Sequence, residues 1–415
     1  MLHVSESNDH FRSISEAAQN ANEGDQIVVA SGVYSPSTTK ESFPIYIPPR
    51  CQLMGSGADG CQIDGGGAKE IADRPLDPSQ SLVLLGNNSV LSGLTICNSG
   101  SNGVSNEHGA RILVTDSVVR DNGQHGLLVF GTNSAVIYNN DFVNNGVKKR
   151  EYKGPRSEVP AKQGHHLYVE SRSGCTNEVV IVGNRMEKVF ADGIANDVFD
   201  QPEGVSMRIQ IIGNTISKCG RNGLSISSSY GPSNTNVFVE IRKNRILQTT
   251  NAIDILAPYA VVRRAIRNAK LSVNITQNKI DSCDTGISVI GAISPAIDTH
   301  AICNIIGNTI DDAKQYGILA VAGYGMDNWS VENTVLDLII ASNKFNKVGK
   351  RPIFIQGGAS VNKEVVRNNI VYAHLVDNQI NTERDVVVND GLPTNSVVVL
   401  EGSQPHSRQS GVLTF

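Results

Sequence analysis

A short unit recurs along this chain of 415 residues: Asn, one variable residue, an apolar residue, a polar stretch, then Gly or a substitute followed by apolar residues in alternation. The Asn falls at Asn140, Asn184, Asn214, Asn244, Asn278, Asn308, Asn343 and Asn378. The Gly position falls at Gly103, Gly126, His166, Gly193, Gly223, Ala252, Gly286, Gly317 and Pro352, in steps of 23, 40, 27, 30, 29, 34, 31 and 35 residues. Such periods fit leucine-rich repeats, helical hairpins and β-helix coils alike, so the local pattern has to decide between them.

After the Gly the residues alternate, as in Gly126-Leu-Leu-Val129, Gly223-Leu-Ser-Ile226 and Gly286-Ile-Ser-Val289, with the first and third expected inward. That period of two is a strand signal. A second β-rich run precedes each Asn, as at residues 179–182, 208–212 and 336–341, and no stretch between them keeps a helical period. Three short strands per turn, with corners at Asn and Gly, predict an all-β parallel β-helix. Stacked coils lie about 4.8 Å apart, so an Asn at the same corner of every coil can bond its neighbours through its amide. The eight Asn are therefore read as structural. Cys219 and Cys283 fall in an inward slot held elsewhere by Val189, Thr249, Ala313 and Val348, and are read as core.

Composition agrees with a turn-rich chain: 39 Gly and 39 Asn make nearly a fifth of it. Charged residues are only 18% and hydrophobic residues 40%, which argues against disorder. The net charge of −4 provides no field of the kind that draws proteins to nucleic acid or anionic membrane, so neither is an expected partner. No apolar run approaches the roughly 18 residues of a membrane-spanning helix. The start at Met1 has no basic and apolar leader, which reads as cytoplasmic, or as extracellular or periplasmic if the chain is a trimmed mature form. Seven cysteines with no C-x-x-C pair speak against a zinc site and a disulfide framework. Ser13-Ile-Ser-Glu16 has a capping-box pattern, and Phe11, Ile14, Ala17, Ala18 and Ala21 lie on one face until Gly24. A short helix is expected to cover the first coil. The expected organisation is a single structural domain: residues 1–87 as capping helix and first coils, 88–380 as repeats, 381–415 as a C-terminal cap.

The run FRSISEAAQNANEGDQIVVASGVYSPSTTKESFPIYIPPRCQLMGSG, from Phe11 to Gly57, resembles the opening of a family of bacterial right-handed parallel β-helix proteins allied to pectate lyases, and the repeats from Leu94 to Ile380 extend the resemblance. The stretch Asn122-Gly-Gln-His125-Gly-Leu-Leu-Val, with Asn139-Asn-Asp-Phe-Val-Asn-Asn-Gly146, resembles the repeats of alginate C5-epimerases, although their Asp-Pro-His-Asp signature is absent. The resemblance implies a right-handed coil and sugar chemistry; the allied proteins include lyases, hydrolases, epimerases and binding proteins, some of them trimeric.

The position before each Gly is expected to form an outward column: Asn102, His125, His165, Asp192, Asn222, Asn251, Thr285, Tyr316 and Arg351. Further along the same strands come Tyr168, Glu170, Asp197 and Asp254. The 40-residue step carries an insertion, residues 147–162, that is the most basic segment of the chain and includes Lys149, Lys153 and Arg156. A basic loop beside histidines and carboxylates suits an anionic or polyhydroxylated ligand.

Lyases and epimerases need a base to remove the proton α to a uronate carboxylate, a group that stabilises the enolate, and an acid. His125 or His165 is the candidate base, Tyr168 the acid, and the three basic residues the carboxylate partners. A hydrolase needs two carboxylates, about 5 Å apart for retention or more for inversion. Asp192, Asp197, Glu170 and Asp254 are the candidates. Tyr230 and Tyr259 are candidate sugar-stacking platforms. No cofactor is expected; Ca²⁺ is the one metal considered, on the run Asp192 to Asp200, because related lyases bind it and clustered carboxylates suit it.

Three functions remain open on the sequence. One is an enzyme that cleaves or epimerises an oligo- or polysaccharide. The second is an intracellular isomerase, cyclase or dehydratase of a small metabolite, and the third is a non-catalytic glycan-binding or structural solenoid.

Overall fold

The computed structural model describes residues 1–5, 11–67, 77–146, 164–172, 174–198, 204–227, 234–257, 266–293, 295–325, 330–360, 366–381, 386–389, 396–401, 407–410 and 413–414. The chain divides into a first unit, Met1–Ala195 with Lys218–Gly220, and a second, Asn196–Ser217 with Arg221–Phe415. Each is a right-handed parallel β-helix, as the repeat predicts.

In the first unit three strands make each coil. One face stacks Leu2–Val4, Gln26–Val29, Gln52–Gly55, Ser89–Ser92, Arg111–Thr115, Ser134–Tyr138 and Glu178–Val182, every pair parallel. The second stacks Gly32–Tyr34, Cys61–Asp64, Thr95–Cys97, Val118–Arg120, Asp141–Val143 and Arg185–Val189. The third stacks Ile45–Ile47, Ser81–Leu85, Asn102–Asn106, Leu127–Phe130 and Leu167–Ser171. Alternation sends every second side chain inward, and register aligns them. Ile27, Leu53, Leu91, Val114, Ile137 and Ile181 form one unbroken buried column. Each fully buried aliphatic side chain is worth about 1.5–3 kcal/mol.

The second unit is built differently. One face stacks Ser206–Ile212, Asn236–Arg242, Lys270–Thr276, His300–Ile306, Val335–Ala341, Ile370–Val376 and Val397–Glu401. The other two strand positions fuse into long strands: Arg245–Leu256, Lys279–Ile290 and Thr309–Gly325. A row of two-residue strands, Ile266–Arg267, Ala296–Ile297, Val331–Glu332 and Val366–Arg367, adds a further short stack. Cys219 and Cys283 are buried and unbridged, as expected of core residues.

The Asn ladder forms as predicted. Asn244 donates its backbone N–H and its side-chain amide to Asn278 Oδ1, at 2.9 and 3.0 Å, and Asn278 repeats this on Asn308, Asn308 on Asn343, and Asn343 on Asn378. In the first unit Asn140 does the same on Asn184. The residue before each ladder Asn is left-handed: Asn139, Gly183, Gly213, Lys243, Gln277, Gly307, Ser342 and Asp377, with φ between +50° and +67°. The other Gly column serves close approach instead. A Cβ on Gly126 would lie 2.6 Å from the His166 carbonyl oxygen, and one on Gly317 would lie 2.5 Å from that of Pro352.

The N-terminal helix spans Ile14–Asn20 and stops before Gly24, because Ala21 is already extended. The Ser13 hydroxyl accepts the Glu16 N–H at 3.1 Å. The reciprocal carboxylate comes from Glu41, which accepts the N–H groups of Ile14 and Ser15 at 2.8 Å each. No helix among the described residues is long and apolar enough to cross a membrane.

Candidate functional site

In the first unit the column before the Gly is present, and it is buried. Asn102 and His125 are fully buried, and His165 and Asp192 are only 3% and 1% exposed. The buried side chains share one hydrogen-bond pattern. Each side chain turns along the coil axis and accepts the backbone N–H of the next coil. Asn102 Oδ1 takes that of His125, His125 Nδ1 that of His165, and His165 Nδ1 that of Asp192, each at 3.3 Å. Alternation describes residues within a strand; these sit at a corner, where a side chain can run parallel to the axis.

The ladder sets the protonation of the rings. In His125 the Nδ1 lone pair is used as an acceptor, so in the neutral ring the proton sits on Nε2. That Nε2 is buried and has no hydrogen-bond partner among the described residues. Burial pushes the His125 pKa down from 6.5 to about 3, so the ring is neutral at physiological pH. Its neighbour His166, standing where most coils have Gly, turns into the core and accepts from Asn145 Nδ2 at 3.1 Å. Asn145 in turn accepts from Asn122 Nδ2 at 3.0 Å, a second short ladder that the sequence reading missed. Burial also takes His166 down to about 3.

His165 differs from both. Its Nδ1 lies 3.4 Å from Asp192 Oδ2 and 3.3 Å from the Asp192 amide nitrogen. Tyr168 closes the group: its ring lies nearly parallel to those of His125 and His165, with centroids 4.9 and 5.3 Å away. The two histidine rings stack at 5.3 Å, within 6° of parallel. Tyr168 is also packed with Leu128 and Ala195, and Phe130 leans on that cluster. The Asp192 charge reaches Cys219 too, whose thiol is pushed up first by burial and then by that carboxylate.

Two residues beyond Tyr168 on the strand Leu167–Ser171, Glu170 is 1% exposed. Arg172 donates to Glu170 Oε1 from Nε at 2.6 Å and contacts it again through a terminal nitrogen. The same guanidinium stands 4.3 Å over the Phe130 ring. Arg172 was not singled out from sequence, though its place two residues after Glu170 puts both on one face of an extended chain.

The remaining candidates lie elsewhere. Lys149, Lys153, Arg156, Tyr230 and Tyr259 fall outside the described residues. Asp197 is half-buried on the strand Ile194–Val198. Asp254 is 8% exposed, stands in register between Ser225 and Ser288, and accepts from Asn222 Nδ2 at 3.4 Å. Both belong to the second unit. Among the described residues no three His, Cys, Asp or Glu side chains stand in metal-binding geometry, and Asp200 is not among those residues.

Several solved structures are similar. The A-module of mannuronan C-5 epimerase AlgE4 of Azotobacter vinelandii is 15% identical over 97% of this chain and 95% of its own, with a TM-score of 0.45. The periplasmic alginate epimerase AlgG is 14% identical over 90% and 84%, with a TM-score of 0.49. PfbA, a surface adhesin of Streptococcus pneumoniae, is 13% identical over 90% and 87%, with a TM-score of 0.46. At such identities and TM-scores nothing about this chain's chemistry follows from them. No curated protein matches the chain in sequence. Residues 4–262 match the family described as "Protein of unknown function (DUF1565)", and the chain, more than half of it inside that match, belongs to this family.

Proposed function

We propose that the protein is a carbohydrate-active enzyme that moves a proton at a uronate ring, by β-elimination or epimerisation. The observation that carries this reading is the His165–Asp192 contact at 3.4 Å beside the Tyr168 ring. In the active form the Nδ1 proton points to Asp192 Oδ2 in place of the Asp192 N–H contact, and the carboxylate balances the charge the ring gains when Nε2 takes a proton from the substrate. Its shared first step removes the hydrogen α to the uronate carboxylate. In elimination the C4–O bond then breaks and the departing oxygen takes a proton; in epimerisation a proton returns to the opposite face. Tyr168 is the second proton carrier. Lys149, Lys153 and Arg156 remain the proposed partners of the substrate carboxylate, with Tyr230, Tyr259 and Asp254 as further binding residues.

His125 has a different role from the one its sequence position suggests. Held neutral, with Nδ1 occupied by the His165 N–H, it is a positioning residue for His165. Hydrolysis is supported less well: Glu170 is tied to Arg172 and Asp192 to His165, so neither is a free member of a carboxylate pair. Asp197 stays a candidate catalytic carboxylate. The cluster is almost wholly buried, and a sugar ring reaches it only through local opening.

One observation favours a second reading, a non-catalytic glycan-binding or structural coil. Asn102, His125 and His165 each spend an acceptor on the next coil, which is what a purely structural ladder does. The two readings part on a panel of uronate polymers, fructans and neutral glycans followed by ultraviolet absorbance and reducing-end formation. Unsaturated products, lost on His165→Ala, support elimination; reducing ends alone would point to hydrolysis, and silence on every polymer together with no exchange of the C5 hydrogen in D₂O to the structural reading.

A further inference from the structure

Within the second unit the same column changes character. Asn251, Thr285, Tyr316 and Arg351 are register neighbours on successive coils, so small polar side chains give way to an aromatic and then a cation. There the surface opens into a cleft of about 390 Å³ lined by Tyr316, Gly349, Lys350, Arg351 and Phe354. That size falls within the range of about 300–1,000 Å³ usual for small-ligand sites.

Its walls combine two chemistries. The rings of Tyr316 and Phe354 stand 5.6 Å apart at 41°, making an apolar corner rather than a flat stack. Lys350 Nζ lies 5.8 Å from the Tyr316 centroid and donates to Gln315 Oε1 at 3.1 Å. The Arg351 guanidinium has no carboxylate partner among the described residues, and Asp284 is paired with Lys314 at 2.9 Å. At Gly349 a Cβ would come within 2.1 Å of the Lys314 carbonyl oxygen, so no side chain can fill the floor there.

We propose that this cleft binds an acidic sugar, with the apolar face of the ring on the Tyr316–Phe354 corner and its carboxylate on Arg351 and Lys350. Aromatic faces accept the C–H side of a pyranose, and a guanidinium fork pairs with a carboxylate through two parallel hydrogen bonds. The net charge of the chain is −4, so the two cations are a local feature rather than part of a general polyanion surface. This proposal does not depend on the His165–Asp192 chemistry.

The test is calorimetric titration of the full chain with oligogalacturonate, oligomannuronate, free galacturonic acid and a neutral malto-oligosaccharide. The wild type binds the acidic ligands in a salt-sensitive way. The Lys350→Gln/Arg351→Gln double variant, with unchanged thermal midpoint, binds them about tenfold or more weakly. Tyr316→Leu weakens binding without changing its salt dependence. Binding of the oligomer alone identifies a polymer ligand, and equal per-ring binding of the free acid a soluble metabolite; both support a carboxylated-sugar site. Equal affinity for the malto-oligosaccharide, displacement by inorganic phosphate, or an unaltered double variant would overturn it. His165→Ala is the control: it leaves this binding intact even where it abolishes proton transfer, so failure of one reading is not mistaken for failure of the other.

Discussion

Asp192 meets His165 twice: its backbone N–H donates to Nδ1 at 3.3 Å, and its carboxylate Oδ2 lies 3.4 Å from the same nitrogen. The first contact continues a ladder that starts at Asn102; the second has no counterpart among the described members of that ladder, because Asn102 and His125 carry no such charge onward. The column is therefore structural along its length and chemically distinct at its end.

Stability should fall as the pH is lowered. His125 and His166 are pushed down to about 3 by burial, whereas in the unfolded chain they titrate near 6.5. Between those values the unfolded state binds more protons, so stability rises with pH, by up to about 1.4 kcal/mol per pH unit for each ring, and is fully present above 6.5. Urea unfolding at pH 5 and pH 7 checks this. His166→Asn, which keeps an acceptor for Asn145, should shrink the pH difference; an unchanged difference refutes the assignment.

Replacing a central ladder Asn should cost more than replacing a terminal one. Asn278→Ala strands the Asn244 backbone N–H and removes three further bonds, from the Asn244 amide and to the Ile241 carbonyl and Asn308 Oδ1, although the Asn244 amide keeps Ile211 O and Asn308 Oδ1 keeps the residue 278 N–H. With about 1–3 kcal/mol for each buried group left unmade, the loss is about 3 kcal/mol or more. Asn378, half-buried, serves fewer partners, and its Ala variant should lose roughly half as much. Denaturant midpoints of the two variants decide the order.

The two glycine columns should respond differently to side chains. Gly317→Ala drives a Cβ to 2.5 Å from the Pro352 carbonyl and 2.6 Å from the Phe345 ring, and about 2–3 kcal/mol is the expected penalty. Gly213 has φ +66° and nothing within 4 Å, so Gly213→Asn should stay within about 1 kcal/mol of wild type. Equal losses at the two positions would contradict the distinction.

The Glu170–Arg172 pair gives a fourth prediction. Arg172→Gln leaves a carboxylate that is 1% exposed without its guanidinium and should destabilise by about 3 kcal/mol. Adding Glu170→Gln removes the stranded charge, and at least half of the loss should return in the double variant.

Much of this fold could be read from the chain because an amide ladder demands its residue at a fixed corner of every coil; Asn244, Asn278 and Asn308 stand where the period puts them. The left-handed turn beside them could not be, since Lys243, Gln277, Ser342 and Asp377 occupy it as readily as Gly213. There the ladder overrides local preference. For the site, sequence spacing brought His125, His165 and Asp192 together but did not reveal that they are buried. The residue before the Gly belongs to a corner, and no alternation rule tells which way its side chain turns. Arg172 is legible in principle as the cation two residues after Glu170.

Proton transfer at His165 is tested most directly by incubating uronate polymers with the protein in D₂O and following the C5 position by NMR, since both elimination and epimerisation begin there. The expected result is loss of the C5 hydrogen, as deuterium incorporation or as an unsaturated product, with wild-type protein, and a decrease of about 10²-fold or more in folded His165→Ala. An unaltered C5 signal on every uronate polymer with wild-type protein, or an equal rate with His165→Ala, would contradict it.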